Sequence, residues 1–332
     1  MRHVAANALT ILIVLGVILA GVIGWGVNQW TGEGPAQEPV QVMVPSGANL
    51  TRTSQILEEA GVITDARIFR LGARYEKLGS SIQAGEFMLP AGISMHDAMR
   101  CVVDQSTCER VVYRITVVEG STVWQVMQQV EAMDVLTGEV AETPAEGTLA
   151  PETYQVNRGD TRQALITRMQ AAQARILDEA WANRADDLPI SNKAEALILA
   201  SLIEKETGVA EERGAVASVF ENRLKRRMKL QTDPTVIYGV TEGKAPLGRG
   251  LRRSELDRPT PWNTYIIPAL PETPIANPGR ASIEAAVNPE ETDFLYFVAD
   301  GTGGHAFART LAEHNRNVAK WRQIERQRGA GD

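Results

Sequence analysis

The chain has 332 residues, 44% of them hydrophobic and 23% charged, which excludes a disordered or fibrous protein and leaves room for two compact units with short appendages. Its formal net charge of -7 excludes nucleic acid as the main partner, because phosphate binding draws its affinity from a dominant basic surface. The basic runs Arg223 to Lys229 and Arg249 to Arg253 read as solvated helix ends or loops.

From Val4 to Val27 the sequence is almost wholly apolar, interrupted by Asn7 and Thr10, and so exceeds the ~20 residues with which a helix crosses a bilayer. A signal-peptide core would be shorter, and Asn28 to Gln37 offers no small-x-small cleavage site, so an uncleaved anchor in inner-membrane lipid is expected over residues 4–27. Arg2 and His3 precede it, and no Lys or Arg follows until Arg52. That asymmetry puts the N-terminus in the cytoplasm and the rest of the chain outside. In that oxidising space Cys101 and Cys108 can close a small disulfide loop or stay as two thiols. No further cysteine and no paired histidines at ligand spacing occur, so no metal site and no cofactor are expected.

Thr31 to Pro39 has the composition of an exposed linker. Val40 to Val44 predicts a strand, and Gly47-Ala48-Asn49-Leu50 predicts a turn with Asn49 capping a helix that carries Ile56, Leu57 and Ala60 on one face. The order glycine, any residue, capping residue, apolar residue returns at Gly92-Ile93-Ser94-Met95 and at Gly120-Ser121-Thr122-Val123, each opening a helical stretch. A polar run from Thr137 to Gly147 leads to helices predicted over Thr161–Arg184, Ser191–Thr207 and Glu211–Arg227. The whole reads as α+β: residues 1–30 as tip and single transmembrane helix, 31–39 as linker, 40–108 as a small α+β subdomain, and 109–332 as a mixed α+β catalytic domain.

The chemistry concentrates after Ser191. Apolar residues cover nearly every face between Ala196 and Ile203, the mark of a buried helix. At its C-terminal end Glu204 shares a stripe with Leu197, Ala200 and Ser201. Burial and the negative end of the helix both push a proton onto such a carboxylate, which suits a general acid. Glu206, about 200° away around the helix, cannot address the same atom and supports or solvates instead.

Glu204-Lys205-Glu206-Thr207, Ala217-Ser218-Val219-Phe220-Glu221-Asn222-Arg223-Leu224 and Leu230-Gln231-Thr232-Asp233-Pro234-Thr235-Val236-Ile237-Tyr238-Gly239 resemble the MltG (YceG-like) family. Asn263-Thr264-Tyr265, Pro274-Ile275-Ala276-Asn277-Pro278-Gly279, Tyr296 to Gly301 and Gly304-His305-Ala306-Phe307 extend that resemblance over nearly the whole chain after the anchor. Two departures stand out. Ala269 occupies a position where the family usually has glycine, and Glu146 to Tyr154 lacks two aromatics of the family's segment, altering a wall on which a sugar would stack. Residues 40 to about 103 are also similar to the LysM modules that grip peptidoglycan.

The family resemblance implies endolytic cleavage of the β-1,4 bond between N-acetylmuramic acid and N-acetylglucosamine, leaving 1,6-anhydro ends, with Glu204 catalytic. One glutamate suffices when the muramyl C6 hydroxyl is the nucleophile. Gln231, Asp233, Tyr238, Asn263, Tyr265, Glu206 and Glu152 are the expected substrate-binding residues, offering polar groups and ring faces to a glycan strand. Expected partners are peptidoglycan strands and cell-wall synthesis machinery. Two rival readings carry different expectations. A water-using muramidase needs a second carboxylate, Glu152 or Asp233, facing Glu204. A non-catalytic glycan-binding scaffold leaves Glu204 structural.

Overall fold

The computed structural model describes residues 2–104 and 107–329. The side chains of residues 1–8, with the Arg2 and His3 charges behind the expected orientation, lie outside the described part, as do 105–106 within the expected small subdomain and 330–332 at the end of the expected catalytic domain. The chain divides into two compact units, Met1–Tyr113 and Arg114–Asp332.

The first unit opens with helix α1 (Arg2–Thr31). Over Leu9–Thr31 this helix has a mean hydropathy of 2.5 and is long and apolar enough to cross a membrane. Its last aromatic, Trp30, turns back into the unit. There follow β1 (Val40–Val44), α2 (Leu50–Glu59), α3 (Ala66–Tyr75), β2 (Gly85–Leu89), α4 (Met95–Asp104) and β3 (Glu109–Arg110). The three strands form an antiparallel sheet in the order β1-β2-β3, with Val42 opposite Phe87. Phe87, Leu89, Leu57, Phe69 and Met99 fill the space between sheet and helices and are inaccessible to solvent.

Trp30 is 8% exposed. Its ring packs edge-on against Phe69 at 5.8 Å and His96 at 6.0 Å, and its indole N–H donates to Glu76 Oε1 at 2.9 Å. A Cβ at Gly72, in the middle of α3, would run into that indole ring. Thr31 to Pro39 is mostly exposed, yet Gly34 N–H donates to the Gly92 carbonyl and Gly92 N–H to that of Ala36, so part of the expected linker lies bonded along the unit. Cys101 and Cys108 are joined in a disulfide with Cα atoms 5.3 Å apart.

The second unit opens within β4 (Tyr113–Thr116), at Arg114, and goes on to α5 (Val123–Glu131). It continues through β5 (Thr153–Val156), α6 (Arg162–Ala182), α7 (Lys193–Glu206), a 3-10 turn at Ala210–Glu212 and α8 (Arg213–Lys225). The last elements are α9 (Asp233–Thr241), α10 (Arg253–Leu256), α11 (Arg280–Val287), β6 (Tyr296–Ala299), β7 (His305–Ala308) and α12 (Leu311–Gly329). β4 pairs with β5, and β6 with β7 as a hairpin. Helix α7 is the axis of this unit: every residue from Ala196 to Ile203 is buried, against α6, α8 and α11. Its start is set locally. The Asn192 side chain accepts from Glu195 N–H at 2.9 Å, while Glu195 Oε2 accepts from Ser191 N–H at 2.6 Å, a reciprocal cap that satisfies two otherwise orphaned donors.

The three glycine-and-cap turns behave alike. Helices α2, α4 and α5 start at Leu50, Met95 and Val123, and Gly47, Gly92 and Gly120 have φ of 77°, 66° and 75°, the left-handed region that costs a glycine little. Asn49 and Thr122 cap Arg52 N–H and Gln125 N–H, and Ser94 Oγ accepts from Asp97 N–H.

Candidate active site

Glu204 lies in the last turn of α7, partly buried rather than enclosed. Its Oε2 accepts from Gly279 N–H at 2.9 Å. Gly279 is the N-cap of α11, so the carboxylate stands where one helix ends and another begins, and the two helix-end fields act on it in opposite senses. The expectation from sequence weighed only the first of these. Gly120 closes another side: a Cβ there would stand 3.6 Å from Glu204 Cγ, and the Gly120 carbonyl accepts from Lys205 Nζ at 3.2 Å. A Cβ at Gly279 would run into the Glu119 carboxylate. Gly279 therefore has one carboxylate on its N–H and another beside its Cα, and Glu119, exposed and 3.8 Å from Arg213, escaped the sequence reading.

What brings these loops together is a set of buried polar side chains. Asn277 is inaccessible to solvent. Its Oδ1 accepts from Leu149 N–H and its Nδ2 donates to the Ser121 carbonyl, both at 2.9 Å. Gln173 Nε2 donates to the carbonyls of Gly147 and Pro278 at 3.0 Å each. Ser201 Oγ accepts from Ile275 N–H at 3.1 Å, so α7 itself receives the segment that leads to Gly279. Glu146 accepts from Val123 N–H at 2.8 Å and from the Tyr238 hydroxyl at 3.1 Å. Burial pushes the Glu146 carboxyl above its ordinary range, and those two donors pull the other way. The sequence reading met Asn277 only as part of a run shared with the family and passed over Gln173. Their partners lie far along the chain, where spacing carries no signal.

Glu206 points elsewhere, as the helical spacing requires. Its Oε1 accepts from the Thr232 hydroxyl. Burial raises its proton affinity first, with the neighbouring Asp233 charge adding to it and His305 and Arg223 opposing. Asp233 Oδ1 accepts from the Tyr265 hydroxyl at 2.6 Å. His305 Nδ1 lies 2.7 Å from Glu212 Oε2, and His305 N–H donates to Glu212 Oε1 at 2.8 Å. Arg223 is 8% exposed and spends its guanidinium on the carbonyls of Leu295 and Leu230, at 2.7 and 2.6 Å.

Of the expected substrate-binding residues, the structure thus gathers Glu206, Asp233 and Tyr265. Gln231 is exposed two residues before Asp233, with a left-handed φ of 49° and its N–H on the Thr264 carbonyl. Tyr238 belongs with Glu146, and its ring meets Trp262 edge-on at 5.3 Å. Glu152 is exposed beside β5. Asn263 has another occupation: it is 1% exposed, its Nδ2 donates to the carbonyls of Leu256 and Arg258, and its Oδ1 accepts from Tyr265 N–H. It holds a loop, and through that loop Tyr265.

Residues 42–320, from β1 into α12, match the model of the YceG-like family. The chain is 32% identical over 319 residues to the endolytic murein transglycosylase of Bacillus subtilis, spanning 87% of this chain and 86% of that protein. It is 29% identical over 370 residues to the endolytic murein transglycosylase of Streptococcus pneumoniae, spanning 96% of this chain and 65% of the pneumococcal protein. A crystal structure of a YceG-like protein from Listeria monocytogenes superposes with a TM-score of 0.52 at 28% identity, covering 85% of this chain and 99% of that one. With a match that embraces the sheet of the first unit, α7 and every loop around Glu204, the chain belongs to the YceG-like family.

Proposed function

We propose that this protein is an endolytic peptidoglycan transglycosylase that cuts the β-1,4 bond between N-acetylmuramic acid and N-acetylglucosamine and leaves 1,6-anhydro ends. The observation that carries the reading is Glu204: a partly exposed carboxylate on a fully packed helix, fixed by one backbone N–H from Gly279. The names of the relatives support it. Glu204 protonates the leaving glycosidic oxygen, then as carboxylate accepts the proton of the muramyl C6 hydroxyl as that oxygen attacks C1. No second carboxylate is needed to activate water. Asp233, Tyr265, Gln231, Tyr238 and Glu206 bind or orient the strand directly or from behind, and Asn263 acts through the loop it holds.

Helix α1 anchors the protein in the inner membrane with the N-terminus cytoplasmic and both units outside, close to new glycan strands and to the machinery that makes them. Its length and hydropathy support the span, and the positions of Arg2, His3 and Arg52 support the orientation. We read the first unit as a LysM-like subdomain that steers strands, a reading supported by its strand-helix-helix-strand order β1-α2-α3-β2.

Glu119 favours one second reading, a water-using muramidase, because it supplies another carboxylate beside Gly279. The full-length protein in detergent, incubated with purified glycan strands, separates the readings by mass spectrometry of the released muropeptides. Anhydro-ended products that fall at least ~100-fold with Glu204→Gln are expected, the loss that removing a general acid and base brings. Reducing ends lost with Glu119→Gln would mean hydrolysis. No product from folded wild type would leave a non-catalytic glycan-binding scaffold.

A further inference from the structure

Helix α3 carries the two most exposed large apolar side chains among the described residues: Leu71 is 70% exposed and Tyr75 89%. Between Ala66 and Tyr75 there is no acidic side chain but three arginines, and Lys77 follows. Arg70 is spent on Ser54 Oγ, to which it donates at 2.9 Å. Arg67, Arg74 and Lys77 are exposed, and among the described residues no carboxylate lies within ion-pair distance of them. The flanking acids are engaged elsewhere: Asp65 caps the helix at Arg67 N–H and Ile68 N–H, and Glu76 accepts from the Trp30 indole. Exposed apolar side chains beside unpaired cations on one helix are the composition of a helix that lies on an anionic bilayer.

The packing of α3 fixes where that face points. The helix has ten residues and is about 15 Å long. Just before it, Thr64 Oγ1 donates to Gln29 Oε1 at 3.2 Å, and just after it Glu76 takes the Trp30 N–H. Its two ends thus meet consecutive residues of α1, which are separated by a rise of only about 1.5 Å, so α3 lies across α1 and not along it. At about 100° per residue, with Gly72 facing the Trp30 ring, the buried Ala66, Phe69 and Ala73 centre a quarter turn to one side. Leu71 and Tyr75 centre a quarter turn to the other. For a helix set across α1 and facing it sideways, these two directions run along α1, one toward each end. Every residue from Leu9 to Trp25 is exposed, so the core that Phe69 and Ala73 enter lies beyond the end of α1. Leu71 and Tyr75 therefore point back, toward its apolar stretch.

We propose that α3 is an interfacial helix: its Leu71 and Tyr75 face lies in the headgroup layer of the bilayer that α1 crosses, with Arg67, Arg74 and Lys77 on the phosphates of anionic lipids. The proposal rests on the spanning reading of α1 and not on cleavage at Glu204. A tyrosine suits that depth, with its ring in an apolar layer and its hydroxyl in a wet one. Long basic side chains lay their stems on apolar surface and carry their charge to phosphate. Trp25, exposed and about 7–8 Å back along α1 from Trp30, falls at the same interface.

The test reads depth in lipid. The full chain is reconstituted in nanodiscs of phosphatidylcholine with or without phosphatidylglycerol, its Cys101–Cys108 disulfide left intact. A nitrobenzoxadiazole label is attached, one position at a time, through Leu71→Cys, Tyr75→Cys, Ile18→Cys in α1, or Gln41→Cys, exposed on the face of β1 turned away from the core. Quenching by lipid with a nitroxide near the headgroup should be at least about twofold stronger at 71 and 75 than at 41. It should be stronger still with phosphatidylglycerol, and weaker at 75 when Arg67→Gln, Arg74→Gln and Lys77→Gln are combined. Quenching at 18 by a nitroxide deep in the acyl chains reports the span separately. Deep quenching at 18, with 71 and 75 no more quenched than 41, would overturn the proposal and leave the anchor standing; no quenching at 18 would overturn both. A label at 75 shielded from iodide but unquenched by lipid, and only in discs holding two copies, would give the face to a second copy of this chain instead.

Discussion

Glu146, Glu206 and Glu221 share one cause, burial, that raises their proton affinity, but they differ in what surrounds them. Glu221 has Lys225 opposing and Asp187 reinforcing the shift, and is held at about 8 against an ordinary 4.5. A carboxyl whose folded pKa is raised lends stability that is complete below its unfolded pKa and disappears as pH climbs through the folded one. The resistance of the wild type to urea should therefore fall between pH 4.5 and 8, with a shallower fall in Glu221→Gln. Identical slopes would show that Glu221 is not the group responsible. Glu146 is a connector: truncating it to alanine leaves Val123 N–H and the Tyr238 hydroxyl without their acceptor, an expected loss of about 1–3 kcal/mol. Glu146→Gln keeps an acceptor and should recover most of that in the same titration. Recovery of nothing would assign the role to the charge instead.

The helix starts read from the sequence were legible because each is written in four or five adjacent residues, whereas α3, capped by Asp65, went unread. Asn49 and Asp65 both accept from first-turn N–H groups, and alanine at either should cost about 1 kcal/mol, additively within a few tenths of a kcal/mol. Thermal melts of the two single variants and the double variant check this, and a marked shortfall in the double would mean that α2 and α3 share the loss. The end of α7, with Glu204 and Glu206 on different sides, was equally legible from helical spacing. The rest of the site was not. Glu204 meets Gly279, 75 residues away, and Asn277 meets Ser121, 156 residues away, through backbone atoms that every residue type carries. Asn-Pro-Gly is a turn by local chemistry, and nothing local distinguishes an asparagine that also binds two other loops. Asn263 shows the converse: a polar residue in a family motif whose hydrogen bonds serve the backbone.

At the scale of the whole molecule, the first unit is built onto the apolar helix α1. Gly72 illustrates how closely: alanine inside an exposed helix normally gains about 1 kcal/mol over glycine, but here the added methyl would enter the Trp30 indole. Gly72→Ala should lower the stability of this unit and speed amide exchange in α3, and unchanged exchange would mean that the indole moves aside freely. Because Trp30 is wedged among Phe69, His96 and Glu76, α1 is a bracket and not a leash. On the proposed topology, the unit can swivel about the bilayer normal as its helix spins in the lipid, but it nods only as far as the helix itself tilts. The height at which its sheet and helices meet the wall is then dictated by the carpentry of one joint, whereas a loose tether of similar length would sample a broad range of heights.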